Sequence, residues 1–202
     1  MSILVKFSTI TLLLLTACTH QAAMLAAPVI SVASKPTQAD YQKLREDLLT
    51  MMKIDQEVRS KQPIDFSEME RIDRKHTKRR KEIVKDYGWP TIDQVGRDGA
   101  HAAWILVQHA DLDLSFQEHC LSLMGKLLPS SQVSPVDVAY MKDRILVALG
   151  KPQIYGTQYH KVNGEVKPFP IEDEEHVDER RKQLGLSTMA EQTTLMKRIW
   201  PK

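Results

Sequence analysis

The sequence predicts a mainly α fold, a single helical domain carrying one small β-hairpin. Apolar residues recur at three- and four-residue spacings along several stretches, each bounded by Pro or Gly. β-prone residues gather in one place, on either side of the pair Asn163-Gly164. A length of 202 residues with 42% hydrophobic and 27% charged residues fits one domain with appendages. The same composition excludes a polytopic membrane protein, a disordered tail and a collagen-like fibre. Lys and Arg total 28 against 26 for Asp and Glu, a net charge of +2. No nucleic-acid partner is expected, because such binding needs a larger or more segregated basic excess.

The N-terminal stretch reads as an address. Lys6 is the only Asp, Glu, Lys or Arg before Lys35, and Ile10 to Ala17 is almost wholly apolar. A run of about a dozen apolar residues is too short for a bilayer core of roughly 30 Å and matches the apolar region of a signal peptide. It ends in Leu15-Thr16-Ala17-Cys18, which resembles the bacterial lipobox, where the cysteine is acylated and becomes the mature N-terminus. The expected layout is a signal peptide over 1–17, a lipid-anchored tether over 18–36 and the helical domain over 37–202. Lipidated Cys18 then makes a membrane the partner. Thr19 rather than Asp after the cysteine resembles the rule for outer-membrane sorting, with the domain facing the periplasm of the cell envelope. The alternative is a periplasmic or secreted protein cut near Ala22 to Ala27. Cys120 is left unpaired in either case and falls on the apolar stripe Phe116, Cys120, Leu123, Met124 and Leu127, the position of a core residue.

The domain opens at Thr37 or Asp40, either of which can cap a helix. Tyr41, Leu44, Leu48, Met51 and Val58 form the stripe of a first helix, broken at Pro63. A second runs from about Asp65, with Phe66, Met69, Ile72, His76, Ile83 and Tyr87 on one side, and stops at Gly88 ahead of Pro90. A third covers about Asp98 to Ala110 and a fourth about Leu114 to Leu127. Ser134-Pro135 starts a fifth, closed by Gly150. Strands are expected at about Gln153–Lys161 and Glu165–Pro168, joined by Asn163-Gly164, so the hairpin lies near 153–168. It is expected to dock on the helices bearing His109 and Asp143, since a hairpin alone is unstable. A helix from Asp173 or Glu174 to Leu184 and a last one from Ser187 to about Trp200 complete the chain. The basic run Lys75 to Lys81 reads as a solvated helix face, balanced by neighbouring acids.

Polar residues concentrate in four segments: Gly88 to Asp111, Ala139 to Leu146, Gln153 to Gln158 and Pro170 to Arg181. His101 and Gln108, seven apart, share a helix face. Strand alternation would put Gln153, Tyr155 and Thr157 on one face, with Gly156 allowing a ligand or backbone to come close. Together GWPT, HAAW with VQHAD, DR, QIYGTQ, PIED and VDERR with LGL resemble a bacterial domain family of unknown function, over about Asp73 to Met189. The resemblance implies a polar signature at Gln108, His109, Asp111, Asp143, Arg144, Gln153, Tyr155, Gly156, Gln158, Asp173 and Arg180, and it locates a site without supplying its chemistry. The chain departs from it at His76, where Asn is commoner.

Histidine is the side chain that changes charge nearest neutrality, so His109 is the natural proton carrier, with Asp111 or Asp143 to fix its tautomer. The expected catalytic pair is His109 and Asp143, and Gln108, Asp111, Arg144, Gln153, Tyr155, Gln158 and Arg180 are the expected ligand-binding residues. The ligand class is a small polar or cell-wall-type molecule, with Arg144 or Arg180 able to take an anionic group in bidentate fashion. No cofactor motif is present, and the histidines show no standard metal-ligand spacing. The alternative is a non-catalytic envelope module whose polar cluster binds a ligand or braces the helices. If the cluster is one site, these residues must converge, and Asp143 must pair with His109 or an arginine.

Overall fold

Most of the helices begin where a side chain satisfies a free amide. Thr37 Oγ1 accepts from the Asp40 amide and Asp40 Oδ2 accepts from the Thr37 amide, a reciprocal capping box. Asp65, Asp113, Ser134 and Thr188 likewise accept from amides three residues on. The computed structural model describes residues 35–200. Its elements are α1 (Gln38–Ser60), α2 (Phe66–Tyr87), α3 (Ile92–Gln108), α4 (Leu114–Leu127), α5 (Pro135–Ala148), β1 (Tyr159–Val162), β2 (Glu165–Pro168), α6 (Val177–Gln183) and α7 (Met189–Ile199). This is the mainly α fold with one antiparallel hairpin that the sequence predicts. The signal-peptide stretch, Cys18 and most of the tether lie outside the described residues.

The core is built around α3, which packs on α1, α2, α4 and α5. Ala102, Ala103, Leu106 and Val107 are buried on it, small enough on one side to admit neighbouring helices closely. Leu44, Leu48 and Met51 of α1, Ile83 of α2, Phe116, Cys120 and Met124 of α4, and Met141 and Ile145 of α5 close round it. Trp104 meets Tyr140 edge-on, ring centroids 6.0 Å apart. The helix begins earlier than the apolar pattern suggests, at Ile92, because Thr91 and Gln94 form a capping box ahead of it. Gly96, at φ +74°, interrupts this first turn, so the stretch after it is the helix that periodicity finds.

Only the last three residues of the expected first strand, Tyr159 to Lys161, are in a strand, which runs on to Val162. β1 pairs with β2 from Tyr159 opposite Pro168 to Val162 opposite Glu165. Residues 153–158 form a loop, tied to the chain beyond the hairpin by a parallel bridge between Gln153 and Ile171. Of the two helices expected to receive the segment 153–168, the one bearing Asp143 does so through residues 153–158, whereas the strands themselves dock on α7, where the Tyr159 and Thr193 hydroxyls lie 2.9 Å apart. The helix expected from Asp173 is a short 3-10 turn at Glu174–His176 followed by α6.

Candidate functional site

The polar residues named by the sequence separate into two groups. The larger group is centred on Asp143 of α5, which is fully buried. Its carboxylate accepts from the amides of Ile154 at 2.7 Å, Tyr155 at 3.1 Å and Thr157 at 3.0 Å, and from the Thr157 hydroxyl at 3.0 Å. The loop cannot be a strand there because its amides turn inward to one carboxylate. The Gln153 side chain works from within the loop, donating to the carbonyls of Gln158 and Phe169 and accepting from the Gln158 amide. Arg180 donates to the Ile154, Glu172 and Asp173 carbonyls. Arg181, fully buried, donates to those of Tyr155, Gly156 and Ser187.

The expected pairing of Asp143 with His109 or an arginine is therefore not found. Backbone donors satisfy the carboxylate instead. Gly156, at φ +66°, does allow a close approach, but by Met189: a Cβ there would overlap its sulfur. Tyr155 is half-buried, and its backbone, held by Asp143 and Arg181, is what ties it into this group. Asp111, Arg144 and Gln158 do meet. Arg144 forks onto Asp111, with Nε to Oδ1 at 2.7 Å, and reaches Gln158 Oε1 at 3.3 Å. Gln117 of α4 joins Asp111 to the end of α3, donating to the Val107 and Gln108 carbonyls. Gln108 itself is buried, and its Oε1 has no partner among the described residues.

His109 belongs to a second group that the sequence did not assemble. It caps α3 at its C-terminal end and turns to α1, where its Nδ1 lies 2.8 Å from Oδ2 of Asp55. Asp55 is fully buried yet sits on the apolar stripe of α1, between Met51 and Val58. Burial works to raise its carboxyl, but the hydrogen bond and charge of His109, with the charge of Arg59, hold it below the ordinary range. Arg59 bonds Asp55 at 2.8 Å and forks onto Asp73 of α2 at 2.8 and 2.9 Å. Burial raises the Asp73 carboxyl against the pull of Arg59. With Asp55 ionised, Nδ1 of His109 must carry the hydrogen of this contact, so Nε2 is the nitrogen left to exchange a proton with a ligand. Nε2 has no hydrogen-bond partner among the described residues.

The ring forms part of the wall of a cleft of about 340 Å³ between α2 and the turn after α3. Asp73, Thr77 and Lys78 line one side, and Leu112 and Asp113 the other. The basic run is thus not a uniformly solvated face. His76 and Arg80 point into the protein, 3% and 2% exposed, and Arg79 pairs with Asp47. Burial and the charge of Arg80 bring the His76 ring down to about 4. The heptad-like spacing that puts Asp55, His76 and Arg80 on otherwise apolar stripes is the signal that could have found this group. Cys120 is the core residue expected, and burial pushes its thiol up to about 12, so it is not a nucleophile. Among the described residues no group of three His, Cys, Asp or Glu could hold a metal ion, and no helix is long and apolar enough to cross a membrane.

Fold and site together define a small helical domain with a His–Asp pair at a surface cleft and a side-chain-braced loop beside its hairpin. The chain belongs to a family of unknown function (DUF6624), whose family model matches residues 42–200. No curated protein and no solved structure matches it.

Proposed function

We propose that the domain binds a small polar ligand in the cleft at His109 and that His109 moves a proton to or from it, oriented by Asp55. The single observation behind this reading is the 2.8 Å contact of the ring with a buried carboxylate at a cleft wall. Such a pairing fixes which nitrogen carries the proton and steadies the ring when it gains a second. Asp55 takes the orienting role for which Asp143 was the expected residue. The ligand belongs to the bacterial cell envelope, a setting supported by Leu15-Thr16-Ala17-Cys18 and by the signal-like run before it. Lipidated Cys18 holds the domain at the outer membrane, facing the periplasm.

A second reading, a non-catalytic module, is favoured for the residues round Asp143. Asp143, Gln153 and Arg180 direct most of their bonds to backbone within the domain. They brace the fold and leave the chemistry to the His109 cleft.

The test is hydrolysis of a panel of small peptides, esters and phosphoesters by the purified protein. Activity is expected to fall about 10²- to 10⁴-fold in His109→Gln and to fall also in Asp55→Asn, while the thermal midpoint of His109→Gln shifts by only a few degrees. Unchanged turnover in His109→Gln, or turnover of no class by the wild type, sinks the proton-transfer reading. Loss of the fold in His109→Gln makes His109 one more brace.

A further inference from the structure

Behind the α2 wall of the cleft lies a cation with too few partners. Arg80 is 2% exposed. Among the described residues its guanidinium makes one hydrogen bond, from Nη2 to Thr77 Oγ1 at 2.7 Å. Nε and Nη1 have no partner among the described residues. A buried guanidinium ordinarily has a carboxylate on it, since an unpaired buried charge is costly. The carboxylates whose charge reaches Arg80, Asp55 and Asp73, are already bonded to His109 and Arg59. Burial lowers the guanidinium to about 10, so it keeps its charge at neutral pH.

The bond to Thr77 carries that charge to the cleft. Because Oγ1 accepts from Arg80, the threonine's own hydrogen remains to be donated elsewhere, and Thr77 lines the cleft. Lys78, the next residue, lines it too and has no ion pair among the described residues. The other cations of that wall are neutralised, Arg74 by Glu70 and Lys81 by Asp113.

We propose that the cleft recognises an oxyanion of its ligand, a carboxylate or a phosphate group, held by the Lys78 ammonium and by the Thr77 hydroxyl that Arg80 polarises from behind. The inference rests on the reading of the His109 cleft as a ligand site. It adds the ligand's charge, and it places the proton carrier beside the bound anion.

Titration calorimetry of the full-length protein in detergent, with inorganic phosphate and then with acetate at constant ionic strength, tests it. At least one of the two anions is expected to bind saturably, and the one that binds names the group. Its Kd is expected to rise at least tenfold in Lys78→Gln and in Thr77→Val, and to stay within threefold of wild type in Thr77→Ser, which keeps the hydroxyl. Circular dichroism confirms that each variant is folded. Absence of saturable binding by both anions, or binding indifferent to Lys78→Gln and Thr77→Val, overturns the proposal. The outcome is separable from that of the proton-transfer reading. Anion binding that persists in His109→Gln, without His109-dependent turnover, leaves only the anion site standing. Turnover that needs His109, without anion binding, leaves only the proton carrier.

Discussion

A buried histidine with an unpartnered ring nitrogen makes stability depend on pH. His76 is 3% exposed and its Nδ1 has no partner among the described residues. Burial, aided by the charge of Arg80, depresses it from 6.5 to about 4. The unfolded chain then takes up the proton first, so this contribution to stability is whole above about 6.5 and is lost as pH falls towards 4. Asp137 acts in the opposite sense. Its burial, only partly offset by His101, raises it to about 6, so the folded chain retains a proton there and loses stability as pH rises from 3.8 to 6. Because the two windows overlap, the wild-type curve alone does not separate them. The difference between wild type and His76→Asn does. Urea melts at pH 7.5 and 4.5 are expected to show wild type losing about 2–3 kcal/mol more than the variant on acidification. Equal losses would remove His76 as the cause.

Among the elements, the loop over 153–158 depends most on one side chain from another element. Asp143 takes three of its amides and a hydroxyl in the interior. Asp143→Asn turns one acceptor into a donor facing N–H groups, and is expected to cost about 3 kcal/mol. Arg144→Gln, next in sequence, breaks a pair whose Asp111 side chain is 57% exposed, and is expected to cost at most about 1 kcal/mol. Equal costs in denaturant melts would contradict the division between brace and surface bridge. This loop also marks where the sequence stops being legible. The bounds of α1, α2, α4 and α5 follow from Thr37, Asp65, Gly88, Asp113 and Pro135, each acting within a few residues of its helix end. Residues 153–158 carry strand propensity locally, but it is overruled by a carboxylate that arrives from α5.

At the scale of the whole molecule, the candidate site was half visible. His109 stood out as a residue type, and its cleft could not, because Asp55 and Thr77 come from α1 and α2, far back in the sequence. Asp143 stood out equally, and only the packing tells a carboxylate that serves backbone amides from one that serves an imidazole. The proposed anchor sets where this domain works. Labelling of cells with a radioactive fatty acid is expected to mark the wild-type protein and to leave Cys18→Ala unmarked. Equal labelling of the two would rule out Cys18 as the lipidated residue, and absence of label from the wild type would return the protein to the soluble periplasm or the medium.

A sheet of two strands consists of nothing but edges, and an open edge invites a second copy to add a strand. Here both strands are four residues long. Pro168, which ends β2, and Pro170 just after it lack an N–H to offer. Ahead of β1, the amides of Gln153, Ile154, Tyr155, Thr157 and Gln158 are already taken within the chain. The bonds that hold the loop in place therefore also deny a neighbouring molecule a ladder to extend. Were the proposed anchor to concentrate the protein on a membrane surface, that would be protection against self-association at high local density.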